Sequence, residues 1–325
     1  MGGNPTKNLT FILCGLLILS LSISSTSFSA QTISKTIIVD QEGTGDYTTI
    51  TDAIAGSNNG DTIIVHQGVY EENNIVIDKT IELLGENSSS TIIQGDETKT
   101  ILIIQANEVI VNGFTITKGG DWGGENIALN SNNVTISGNI IEMGNGTGIR
   151  ILNSSGSAIK KNTFNSNQEG IMCYNCINLH ILNNQIFDSL AGIYLYNSHN
   201  VVIEKNTVKS CSKGIYLEES NENTIQRNHL FSNEQGTFLS YSSNNILTEN
   251  NYISNVEQAK FTTWLSPTGL QLSSWDSNYW DNSLAILPKC IPGILFIRTY
   301  NPIGIFLPWV AIDWNPALER YEINL

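Results

Sequence analysis

Gly148, Gly170, Gly192, Gly214 and Gly236 stand at a constant interval of 22 residues, and no other feature restricts the fold of this chain as tightly. A period of that size marks a solenoid, in which each repeat is one turn that buries its apolar face only against the turns on either side. The residue after each glycine is Ile149, Ile171, Ile193, Ile215 or Thr237, and two positions further on stand Ile151, Cys173, Leu195, Leu217 and Leu239. Alternation at period two describes a strand with one buried face. Two more columns keep the same phase: Ile159, Ile181, Ile203, Ile225 and Leu247, then Phe164, Ile186, Val208, Leu230 and Tyr252. Each repeat thus supplies three short strands and three corners. The reading is an all-β, right-handed, single-stranded parallel β-helix of three sheets with 22-residue rungs.

Between the second and third strands runs a column of asparagines, Asn162, Asn184, Asn206, Asn228 and Asn250, with Asn139 one rung earlier. An asparagine tolerates the left-handed backbone of a tight corner, and its amide can bond the same amide on the next rung. These five residues are expected to form a structural ladder. Ile50, Ala53 and Ile54 have helical spacing, which predicts a short helix covering the N-terminal end of the core. After Pro5 the next proline is Pro267, as a continuous hydrogen-bonded sheet requires. The later prolines place an irregular C-terminal cap over 261–325, following a β-helix domain over 31–260.

At the start, Lys7 precedes an apolar run from Phe11 to Leu21 that ends in small residues, the pattern of a secretory signal peptide over 1–30. The expectation is a secreted, periplasmic or cell-surface product. A second apolar stretch, Ile291 to Val310, is broken by Arg298 and three prolines and reads as no membrane span, so an integral membrane protein is not expected. The formal charge is −14. That disfavours nucleic acid as a partner, and disfavours acidic glycans unless a divalent cation bridges the charges. With Cys14 in the signal, Cys173, Cys176, Cys211 and Cys290 are too sparse for a disulfide framework.

The stretch Val39-Asp40-Gln41-Glu42-Gly43-Thr44-Gly45-Asp46-Tyr47, followed by Gly60-Asp61-Thr62-Ile63-Ile64-Val65 and Gly68-Val69-Tyr70, resembles the opening of pectin-lyase-like β-helices. Leu83-Leu84-Gly85-Glu86 and the Gly-Ile and Asn-Thr repeats are similar to the NosD-like family of exported β-helix proteins, also called carbohydrate-binding and sugar-hydrolysis domains. The resemblance covers roughly residues 36 to 255. Asn278-Tyr279-Trp280-Asp281 resembles a segment that closes many archaeal surface proteins of this group, which implies an archaeal or bacterial envelope protein.

Pectin-lyase-like enzymes work on the outer face of one sheet, so the outward positions of the first strand are the place for a site. They read Arg150, Met172, Tyr194, Tyr216, Phe238 and Leu152, Tyr174, Tyr196, Glu218, Ser240. Rings at one-rung spacing could stack on sugar faces, which makes Tyr174, Tyr194, Tyr196, Tyr216 and Phe238 candidate ligand contacts. The plainer reading is that the rings stabilise the sheet through neighbour contacts. Arg150 and Glu218 are the only catalytic candidates. The acid–base sets of methylesterases, pectate lyases, polygalacturonases and alginate epimerases are not found, and adjacent Glu218 and Glu219 point to opposite faces of a strand.

Gly119–Glu125 is an insertion of about four residues if Gly113 and Asn139 are equivalent corners. Asp121 and Glu125 are weak calcium candidates there, Trp122 a sugar contact, and a plain surface loop is the simpler reading. The NosD-like resemblance implies copper, but His66, His180, His199 and His229 fall in different columns, and Cys173-x-x-Cys176 places one thiol in a core column. No cofactor is required on this reading. The resulting expectation is a non-catalytic surface protein that binds envelope or extracellular glycan. Two rivals stand beside it, a polysaccharide lyase, hydrolase or epimerase on the same scaffold and a periplasmic accessory in copper-cofactor assembly.

Overall fold

The computed structural model describes residues 34–120, 124–142, 146–266, 269–283, 287–297 and 305–323. The expected signal segment lies outside them, as do Asp121, Trp122 and Met143. Three sheets wind around one apolar core. Among the described residues the first has eleven strands, from Thr36–Val39 to Ser274–Asp276, and the third has ten, from Gly68–Glu71 to Tyr279–Trp280. The second is the widest, with twelve, from Ile75–Ile77 to the hairpin Lys289–Ile297 and Ile305–Asp313. Strands of successive turns pair in parallel, so the chain is the parallel β-helix that the 22-residue period predicts.

Register stacks like on like. Ile171 pairs with Ile193 and Ile193 with Ile215, while Cys173 pairs with Leu195 and Leu195 with Leu217, all without solvent exposure. The glycine column marks where the backbone enters the second sheet against its neighbours. A Cβ on Gly192 would overlap the Val208 side chain and lie 2.6 Å from the Gly214 carbonyl oxygen one turn on. The column closes at both ends with a buried amide. Asn126 aligns with Gly148 and accepts from the Gly119 backbone N–H at 2.8 Å, and Gln258 aligns with Gly236 and accepts from Asn255 Nδ2 at 2.6 Å.

The asparagine ladder is present and longer than the five expected rungs, running from Asn139 through Asn278 with Nδ2–Oδ1 distances of 3.0 to 3.2 Å. It ends on buried Asp313, which accepts from the Asn278 backbone and side chain and from Trp280 Nε1. Its conformational basis differs from the expectation. The left-handed corner residue is the one before each asparagine, Lys161, Asn183, Lys205, Arg227 or Glu249, with φ of 54° to 56°. The ladder residues are chosen for their buried amides. Two further ladders, Asn223 to Asn245 and Asn233 to Asn255, occupy the other corners.

The predicted helix is Ile50–Gly56, which buries Ile50, Ala53 and Ile54 and is capped by Thr49. The insertion is shorter than expected. The Phe114 backbone N–H donates to Asn139 Oδ1, so Phe114, not Gly113, is the equivalent of Asn139, and that turn has 25 residues. At the far end, residue 260 falls inside the strand Glu257–Ser266, and parallel pairing continues through Ser274–Asp276, Tyr279–Trp280 and Lys289–Ile297. Pro292 and Pro308 stand within sheet strands, the second of them at the edge, where a missing N–H leaves no gap between neighbours.

Candidate functional site

The outward face of the second sheet carries the residues singled out in the sequence. Register places Met172, Tyr194, Tyr216 and Phe238 in one row and Tyr174, Tyr196, Glu218 and Ser240 in the next. Because strands repeat at about 4.8 Å, rings in one row meet face to face. Tyr194 and Tyr216 stack with centroids 4.8 Å apart and planes within 6°, and Tyr216 and Phe238 at 5.2 Å and 6°. The Lys213 ammonium lies 3.8 Å from the Tyr216 ring centroid. The ring faces are therefore turned on one another, the arrangement of the plainer of the two readings, and what this row turns outward is ring edge. Tyr174 and Tyr196 form a looser pair, 4.6 Å apart and tilted by 33°.

Both catalytic candidates are engaged. Tyr194 and Tyr216 donate their hydroxyls to one oxygen of Glu218, at 2.6 and 2.9 Å. Partial burial and this carboxylate acceptor hold the Tyr216 hydroxyl up at about 12, and the same causes push Tyr194 higher still. Arg150 forms an ion pair with Glu125, whose other oxygen accepts from the Thr100 hydroxyl at 2.6 Å. Glu125 is 3% exposed in a strand, so it is no calcium ligand on an open loop. Its supposed partner Asp121, like Trp122, lies outside the described residues. Glu219 takes a left-handed corner conformation, φ 50°, and Tyr196, which is raised chiefly by the charge of Glu219, sits beside it.

A polar border also runs along this face. Asn175 donates to Asn153 at 3.3 Å and Asn197 to Asn175 at 2.7 Å, an exposed amide row next to Tyr174 and Tyr196. Its signal was the 22-residue spacing of the three asparagines. Among the described residues the hydroxyls of Tyr174 and Tyr196 have no protein partner, unlike those of Tyr194 and Tyr216.

Residues 32–284 match the family described as periplasmic copper-binding protein (NosD). The chain belongs to the NosD family. No curated protein matches the sequence. Among solved structures, this NosD-family chain is similar to a complex of XylC with xylose, at a TM-score of 0.60 and 14% identity over 86% of this chain and 73% of that one. It is similar too to the GH136 lacto-N-biosidase from Eubacterium ramulus, with a TM-score of 0.56 and 11% identity over 75% of this chain and 62% of that one. Pectate lyase Pel9A gives 0.52 and 14%, over 77% of this chain and 80% of that one. At such identities the likeness shows the fold alone.

Copper, which the family description names, finds no fitting ligand set here. Among the described residues no three His, Cys, Asp or Glu side chains gather as a metal site. His66 faces Asp40 and His199 faces Asn221, far apart along the solenoid. Cys173 and Cys176 are buried, and the Cys176 thiol donates to the Tyr174 carbonyl at 3.3 Å. Hydrogen bonding to Cys176 and burial hold the Cys173 thiol well above its ordinary value, and burial pushes Cys211 up to about 12. The same bond pulls the Cys176 thiol below its ordinary value, but Cys173 and Cys211 are held protonated and pack as small hydrophobes, whereas a metal needs the thiolate.

Proposed function

We propose that this exported NosD-family β-helix is a non-catalytic binding protein whose ligand is a neutral envelope or extracellular glycan, taken without a metal cofactor. The observation that carries the non-catalytic part is the commitment of Glu218 to two tyrosine hydroxyls. A general acid or base must exchange a proton with its substrate, and this carboxylate is already the acceptor of a closed pair. The binding part rests on the adjacent strip, where the hydroxyls of Tyr174 and Tyr196 stand beside the amides of Asn175 and Asn197. That strip offers donors and acceptors at the rung spacing, suited to the hydroxyls of a sugar chain lying along the solenoid. Binding is edge-on and polar. The overall charge of −14 favours a neutral over an acidic polymer.

The test is a glycan array with polysaccharide pull-down, run with calcium and with chelator, beside the double variant Tyr174→Ala/Tyr196→Ala and an assay for released sugar or unsaturated product. Binding that survives chelation, is lost in the double variant and yields no product supports the reading. Product formation, or binding indifferent to the two tyrosines, overturns it.

A further inference from the structure

The outward side of the third sheet carries a column, Thr163, Gln185, Thr207, His229, Asn251 and Tyr279, in which each residue is in register with the next. Its C-terminal end is already occupied. The segment after Asp313 folds back over the corner, where the Ala317 backbone N–H donates to the Asn278 carbonyl at 2.9 Å and the Tyr321 hydroxyl to the Ser277 carbonyl at 2.8 Å. Asn251 meets one residue of that segment twice: its Nδ2 donates to the Tyr321 carbonyl and its Oδ1 accepts from the Tyr321 N–H, both at 2.8 Å. Under this contact Asn251 is fully buried.

A side-chain amide offers a donor and an acceptor in one plane, which matches the N–H and C=O that a locally extended residue turns to the same side. Asn251 thus pairs with a peptide as a neighbouring strand would. In the whole column only Gln185 carries the same group, three turns away, which at about 4.8 Å per turn is roughly 14 Å along the solenoid. Gln185 lines an open groove on the same corner together with Lys161, Asn162, Thr163 and Asn183. Among the described residues the side chains of Thr163, Asn183 and Gln185 have no protein partner, so the group that is closed at Asn251 is free here.

Charge narrows the occupant. Lys161 is an exposed corner residue, and neither it nor Lys160 beside it has an ion-pair partner among the described residues. No carboxylate lines the groove. In the adjoining rows Glu142 is aligned with Asn165, and Glu204, two turns on from Lys160, faces Arg227 at 3.9 Å. A neutral sugar would use the amides and leave both ammonium groups without a counter-charge, whereas a peptide with a carboxylate uses all of them. We propose that the groove at Gln185 binds a segment of acidic peptide, with a backbone N–H and C=O paired to the Gln185 amide and a carboxylate held by Lys161. This site lies apart from the strip of Tyr174 and Tyr196, which belongs to the second sheet, so neither depends on the other.

The probe is a labelled synthetic peptide with the sequence of Trp314–Ile323, blocked at both ends, because that segment carries Glu319 and Glu322 and already meets an amide of this column. Fluorescence anisotropy with the full chain should show saturable binding that weakens with salt and falls about tenfold in Gln185→Ala and in Lys161→Glu. Both side chains lie on the surface, so circular dichroism and melting should not change. A peptide carrying Glu319→Lys and Glu322→Lys should bind more weakly than the parent peptide. The proposal fails if the peptide does not bind, or if it binds equally well to Gln185→Ala, in which case it has exchanged with the chain's own tail at Asn251. It fails equally if cellohexaose binds with the same dependence on Gln185 and the peptide does not; the groove is then a sugar site.

Discussion

Replacing Asn206 by alanine isolates the energetics of the ladder. Its side chain is fully buried and makes five hydrogen bonds: Oδ1 accepts from the Asn184 backbone N–H at 2.9 Å and from Asn184 Nδ2 at 3.0 Å, and Nδ2 donates to Asn228 Oδ1 and to the carbonyls of Ile181 and Glu204. Asn184 Nδ2 retains the Ile159 carbonyl, and Asn228 Oδ1 retains the Asn206 backbone N–H. The Asn184 backbone N–H is left with nothing. One orphaned buried donor costs about 1–3 kcal/mol, and the weakened bonds and the small void add about 1–2, for an expected loss of about 3 kcal/mol. Urea unfolding followed by circular dichroism reads this as a lower midpoint, and Asn165→Ala, on the outward side of its strand, should cost no more than about 0.5 kcal/mol. Because turns couple to their neighbours, amide exchange should rise first at Asn184 and adjacent rungs. A loss below about 1 kcal/mol, or equal losses for the two variants, would refute the view that the amide and not the corner backbone is what selects asparagine here.

Gly192→Ala forces a Cβ against Val208 and the Gly214 carbonyl, so it should cost about 3 kcal/mol or prevent folding, and Val208→Ala should relieve only the side-chain part of the clash in a double-mutant cycle. Ultraviolet titration should find Tyr216 ionising near 12, and Glu218→Gln should move it down only part of the way, since burial is the larger cause. That raised value also makes stability fall with alkali. Below about pH 10 the hydroxyl is protonated in both states, and between there and about 12 the unfolded chain alone releases its proton, so melting temperature should drop across that window and less steeply in Tyr216→Phe. Glu125→Ala leaves the Arg150 guanidinium without its counter-charge and should destabilise by about 2–3 kcal/mol, below the fully buried value because Arg150 is partly exposed; Glu125→Gln should restore part of the loss.

The chain's period was enough to fix the number of sheets, the parallel pairing and the rung-to-rung register. Each turn packs only against its neighbours, so Gly192, Ile193 and Leu195 meet their own equivalents, Gly214, Ile215 and Leu217, and repetition in sequence becomes contact in space. The helix at Ile50 and the core place of Cys173 were legible for the same reason: burial follows local phase. What the pattern could not say is how a side chain spends its polar groups once stacked. The identity of Tyr194 and Tyr216 suggests open ring faces, but a strand spacing close to ring thickness turns those faces on each other. Glu218 and Arg150 look like reactive groups in a row of letters, and in the fold each is closed by a partner from another turn, 24 and 25 residues away. The left-handed corners at Lys161 and Lys205 and the strands through Pro292 and Pro308 break local preference outright, because stacking against the next turn and the edge of the sheet outweigh it. Sequence determined which residues repeat; the tertiary structure alone decided which of their surfaces remain available, since availability depends on what the neighbouring turn has already covered.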